Sequence, residues 1–217
     1  SLKYKSFFAG LVDAENFKIN GGQGDDGQVL TSTGSGVAWE AAGGGVTFKE
    51  GGTNFTNSLM VGDDATGTLN NAQKNTALGI DVFAALTTGD NNVAVGFEAL
   101  KANTTGSGNT SLGGSSLVAN TTGASNVAVG TDTMGSNTEG ATNTAVGLSA
   151  LYANTTGSNN IAIGHDSLRF NTTASGNTAV GKKALYSTTT SGNNTAVGFQ
   201  AGDAITTGDQ GTYIGQD

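Results

Sequence analysis

The sequence predicts an all-β fold: a parallel β-roll, or β-solenoid, of about ten 17-residue coils. Three observations carry this. A glycine recurs every 17 residues without insertion, at Gly62, Gly79, Gly96, Gly113, Gly130, Gly147, Gly164, Gly181, Gly198 and Gly215. The residues before it, as in "NTAVG" and "NVAVG", alternate bulky and small, which is the period of a strand. The composition holds 36 Gly, no Pro and only 12% charged residues. Disordered chains are usually rich in charge or proline, so a β-rich repeat is the better fit.

Taken in order, the chain opens with "SLKYKSFFAGLVDAENF". Its apolar stretch, Phe7 to Val12, is too short for a signal peptide, and it reads as a start with the initiator Met removed. By that reading the protein is made in a cytoplasm and not exported through a leader. Next comes "GDDGQVLTSTGSGVAWE". It predicts a hairpin: strand Gln28 to Ser32, turn Thr33 to Gly36, strand Val37 to Glu40. Trp39, the only Trp, is expected to cover the hairpin's apolar side. Ala41 to Gly45 reads as a flexible joint. Residues 1–45 are therefore expected to form an attachment or collar region, and residues 46–217 a shaft.

Each coil of the shaft has fixed columns. A bulky aliphatic precedes the glycine, and a small residue, mostly Ala, precedes that. Four before the glycine stands Asn, from Asn75 to Asn194; four after it stands Phe, Leu or Met, from Phe83 to Leu185. Runs such as "NTTGSGN" are turns, since Asn and Gly tolerate positive φ. The "xxALxxN" segment predicts a second short strand, so that each coil has two strands and two turns. At a strand spacing of about 4.8 Å, ten coils would extend roughly 48 Å.

One coil offers only two or three sizeable apolar side chains. Such a thin core does not offset chain entropy alone. An apolar face must therefore find a partner, and closed cyclic symmetry is the usual solution. If Ala faces the narrow interior, then Val95, Val129, Val146, Ile163, Val180 and Val197 line an axis between subunits. The reverse is open at this stage: the valines could fill the roll and Ala could face the mates.

A family resemblance bears on both points. "NNVAVGFEAL" and "NTAVGFQAG" resemble the "NSVAIG"-type repeats in the heads of trimeric autotransporter adhesins. The resemblance runs over Ser58 to Asp217 and implies a roll assembled as an intertwined or closely packed homotrimer. The period here is longer, with the added residues in the "NTTGS" turn. The 17-residue form, and the segment Gly24 to Glu40, are similar to bacteriophage tail-fibre and related virion proteins. That similarity implies a structural fibre of a virion, on the tail or the capsid. The N-terminal region would contact other virion proteins, and the shaft would lead to a host-binding tip and a host surface receptor. The second reading is the head of a bacterial surface adhesin.

Other classes are disfavoured. The net charge of −8 and pI near 4.4 argue against nucleic-acid binding. No 18-residue apolar run suggests membrane insertion. With no Cys, one His and no paired carboxylates, neither catalysis nor a cofactor is expected. Glu98, Asp132 and Asp166 share a column, but it also holds Ser115, Ser149 and Lys183. Asp25 and Asp26 in "GQGDDGQ" could hold Ca²⁺, though loop solvation explains them. The Asn column could bind ions or sugars, but an amide ladder satisfying turn backbone is the plainer account. The pairs Thr87/Thr88, Thr104/Thr105, Thr121/Thr122, Thr155/Thr156 and Thr172/Thr173 invite an ice-binding reading. Adjacent residues face opposite ways on a strand, so these pairs form no hydroxyl lattice. His165 follows its coil's glycine in a column with Ile80, Phe97, Leu148 and Lys182. No shared chemistry survives that variety, and the column reads as outward-facing.

Overall fold

In a computed structural model, the structure describes residues 28–32, 37–41, 47–50, 55–56, 59–62 and 71–216. Contacts divide the chain into two units, Ser1–Gly45 and Val46–Asp217. In the first, β1 (Gln28–Ser32) pairs antiparallel with β2 (Val37–Ala41) in the register expected of the hairpin, Leu30 opposite Trp39. Asp25, Asp26, the Phe7 stretch and the joint after Ala41 lie outside the described residues, as does the side chain of Trp39.

The second unit is a β-solenoid. Its sheet holds β5 (Leu59–Gly62), β7 (Thr76–Gly79), β8 (Val93–Val95), β9 (Thr110–Leu112), β10 (Val127–Val129), β11 (Thr144–Val146), β12 (Ile161–Ile163), β13 (Thr178–Val180), β14 (Thr195–Val197) and β15 (Thr212–Ile214). All ten run parallel, each paired with the strand 17 residues away, as Val127 with Thr144 and Val129 with Val146. At one end β3 (Thr47–Glu50) lies antiparallel on β5, reversing the direction of pairing. A second, two-stranded sheet joins β4 (Phe55–Thr56) to β6 (Ala72–Gln73). No helix occurs among the described residues.

The strands settle which column faces in. Ala94, Ala128, Ala145, Ala162, Ala179 and Ala196 have no exposed surface. The Val95 column, one residue on, points to the outer face, so the version with valine inside the roll is excluded. The small side chains let the two limbs of a coil approach closely. Between them lie Leu100, Leu117, Met134, Leu151, Leu168 and Leu185, all fully buried.

The second limb corrects the expectation of a second strand. It is a run of turns in which alternate residues adopt the left-handed conformation: Glu98 (φ 58) and Leu100 (φ 51), Asp132 (φ 55) and Met134 (φ 51), Asp166 (φ 59) and Leu168 (φ 48). The reason is burial. A strand would turn Ala99 and Leu100 to opposite faces, yet both are fully buried. The alternating backbone turns both inward and still bonds along the stack. The Glu98 N–H donates to the Ile80 carbonyl at 2.9 Å, and the Leu100 N–H to the Ser116 carbonyl at 3.1 Å. Left-handed Leu is unfavourable by roughly 1–3 kcal/mol, which the buried side chain offsets.

Two amide ladders run inside the roll. In the first, the Asn92 N–H and Nδ2 donate to Asn75 Oδ1 at 2.9 and 3.1 Å, and Nδ2 also donates to the Gly106 carbonyl. The backbone half of this pattern repeats through Asn194. The Asn column is thus a structural ladder. The second ladder joins the turn residues Asn103, Asn120, Asn137, Asn154 and Asn171, each Nδ2 donating to the preceding Oδ1 at 2.7–2.8 Å. It ends where Thr188 replaces Asn and turns its hydroxyl to the Ile205 carbonyl, leaving Asn171 Oδ1 without a donor. A differential prediction follows. Asn137→Ala leaves Asn120 Oδ1 newly orphaned, whereas Asn171→Ala removes one orphan as it creates another at Asn154. Asn137→Ala should therefore cost about 1–3 kcal/mol more, by denaturant unfolding at equal protein concentration. Equal costs would refute the ladder as a load shared between coils.

Candidate functional site

One candidate surface is the outer face of the solenoid sheet. Strand alternation sends two residues per coil outward. One column reads Thr76, Val93, Thr110, Val127, Thr144, Ile161, Thr178, Thr195 and Thr212. The other holds Leu78, Val95, Leu112, Val129, Val146, Ile163, Val180, Val197 and Ile214. Leu78, Leu112, Ile163 and Val197 are exposed; Val95, Val129, Val146 and Val180 are half-buried, flanked along the column by their own neighbours. Past each glycine, in a separate column that also holds Thr131, His165 and Lys182, Ile80, Phe97, Leu148 and Phe199 are exposed as well. From β7 to β15 this face, aliphatic in one column and mostly Thr in the other, extends roughly 40 Å. A face of that length, on a chain of low charge, is the feature of an interaction surface.

The polar columns carry structure. The first Thr of each pair donates its hydroxyl to the next coil: Thr87 to the Thr104 carbonyl at 2.9 Å, Thr104 to Thr121 at 3.0 Å, Thr155 to Thr172 at 3.1 Å. Those hydroxyls are committed to the stack and form no free lattice. Lys101 bridges Asp81 at 3.0 Å and Glu98 at 2.7 Å. Donating to Glu98 first, and then to Asp81, raises the Lys101 pKa above the ordinary lysine value.

His165 is exposed, with Nε2 3.2 Å from Asp166 Oδ2. Asp166 is mostly buried and also accepts from Arg169 Nη1, which raises the guanidinium pKa above its ordinary value. Asp166 is therefore already answered by Arg169, and among the described residues no three His, Cys, Asp or Glu side chains gather as a metal site would need. His165→Ala should change the stability by no more than exposed substitutions do, about ±0.5 kcal/mol, with a correspondingly small shift in melting temperature. A zinc-dependent shift in melting that vanishes in the mutant would show otherwise.

One cluster escaped the column reading because it does not repeat. Tyr152, Arg169 and Tyr186 are successive in one column. The Arg169 guanidinium lies 5.4 Å from the Tyr152 ring centre and 5.9 Å from that of Phe170. Phe170 packs edge-on against Tyr186 at 5.0 Å, and Lys183 Nζ stands 4.9 Å above Tyr186. The sequence cue was the run of aromatic and basic residues from Arg169 to Tyr186 in an otherwise acidic, aromatic-poor chain.

Comparison with family models, with curated proteins and with solved structures finds no match for this chain.

Proposed function

We propose that the chain is a structural fibre protein of a bacteriophage virion, on the tail or the capsid, whose solenoid packs as a homotrimeric shaft. The observation that carries this reading is the unpartnered apolar column formed by Val95, Val129, Val146, Ile163, Val180 and Val197 with Leu78, Leu112 and Ile214. The thin interior of each coil supports it. Alanine and one Leu-sized side chain per coil form a narrow core, and three such faces meeting on an axis would enlarge it. The stacked ladders suit a rigid spacer. Residues 1–45 would attach the shaft to other virion proteins, and the shaft would present a tip to a host surface receptor. Neither a cofactor nor catalysis enters this role. The same face would also serve a bacterial trimeric adhesin head, the reading favoured by the "NNVAVG" resemblance alone. Negative-stain images of particles labelled with an antibody to this chain separate the two. Label on projections of purified virions supports the fibre. Label confined to the bacterial cell envelope overturns it.

A further inference from the structure

We propose that Tyr152, Arg169, Phe170, Lys182, Lys183 and Tyr186 form a binding surface for a carboxylated polysaccharide. Charge points first to an anion. The chain carries a net charge of −8, yet three cations lie on two adjacent coils. Arg169 is answered by Asp166. Lys182 and Lys183 make no ion pair among the described residues; Lys182 stands 5.9 Å from the Phe199 ring centre and Lys183 over Tyr186. Cation–π contact positions an ammonium while leaving its N–H donors free. Asp203, on the next coil in the Tyr186 column, is held by Gln200 Nε2 at 3.1 Å. With Asp166 and Asp203 set against Arg169, Lys182 and Lys183, the patch keeps one net positive charge on a chain whose total is −8, which favours an anion here.

The rings point to a sugar. Tyr152 and Phe170 are exposed, and Tyr186 is half-buried. They lie on three successive coils, Tyr152 and Tyr186 two coil rises apart in one column, about 9.6 Å, and Phe170 one position on from Arg169 between them, so a sugar chain lying along the stack would cross all three. The apolar C–H faces of a sugar chain pack on such rings, while its carboxylates meet Lys182 and Lys183. Nucleic acid is the poorer partner, because two unanswered cations release few counterions. This surface stands on its own geometry and does not depend on the virion reading.

Calorimetric titration of the full chain with alginate oligosaccharides, poly-glutamate and dextran tests the proposal. Alginate is expected to bind, more weakly as salt rises, with poly-glutamate and dextran each at least about fivefold weaker. Tyr152→Ala and the exposed Lys182→Ser should each weaken alginate binding by about fivefold. Lys101→Ser, a cation away from the cluster, should not. Lys182→Ser keeps the test valid should Tyr152→Ala disturb the fold. No alginate binding, equal binding of poly-glutamate or dextran, or indifference to Lys182→Ser would each overturn the assignment.

Discussion

Gly130→Ala is expected to destabilise the solenoid by about 2–6 kcal/mol, from backbone strain of about 1–3 kcal/mol and overpacking of similar size. Gly130 follows strand β10 with φ 131, far from the conformations that L-residues adopt. A Cβ there would lie 2.7 Å from the Gly147 carbonyl oxygen and 2.8 Å from its carbon. Those atoms belong to the backbone of the next coil, so no side chain can swing aside. The coils would have to part, stretching the bond from the Gly147 N–H to the Val129 carbonyl, now 2.8 Å. The same approach to the next coil's backbone recurs at Gly79, Gly96, Gly113, Gly147, Gly164, Gly181 and Gly198, which explains why glycine holds this column. Gly114→Ala, next in sequence to an equivalent glycine, is the control. It has no atom within 4 Å of an added Cβ and its φ is not in the positive range. It should be neutral or stabilising by about 0.4–1 kcal/mol, through the unfolded chain. Denaturant unfolding of both variants decides the matter. Similar behaviour would mean that the glycine column is not fixed by its backbone.

The parts legible in the sequence were those that repeat. The ten glycines gave the period, and the "TAV" alternation gave the strand and its two faces. The Asn column was recognisable as a ladder because an amide with identical neighbours above and below has an obvious partner. The second limb was misread for a physical reason. Leu100 and Leu151 adopt a conformation that Leu disfavours on its own, and only the packing of the coil imposes it. Local preference therefore pointed to a strand. The adjacent pair "AL" in "FEALKAN" and "LSALYAN" was the available clue, since a strand half-facing solvent does not place two apolar residues side by side. The aromatic and basic cluster was hidden by the opposite effect. Tyr152, Arg169 and Tyr186 share a column with Lys101, Val118 and Gly135, and a reading that looks for sameness discards such a column as variable.

Val146→Asp is expected to prevent assembly, whereas Leu148→Asp should leave it intact. Val146 sits in the middle of the outer column, paired in register with Val129 on one side and Ile163 on the other. Its neighbour Ala145 supplies the coil's own interior and is untouched by the change. In a trimer closed around this column, three aspartates would meet at one level. Each carries several kcal/mol of desolvation cost, and like charges repel rather than pair. Leu148 lies beyond the coil's glycine and is 48% exposed. Its column accepts Thr131, His165 and Lys182 in neighbouring coils, so a carboxylate there remains in water. Sedimentation equilibrium should give three chains for the wild type and for Leu148→Asp, and fewer for Val146→Asp. A well-folded wild-type monomer at micromolar concentration would refute the trimer. Equal damage from the two substitutions would show that the buried axis runs along a different face of the coil.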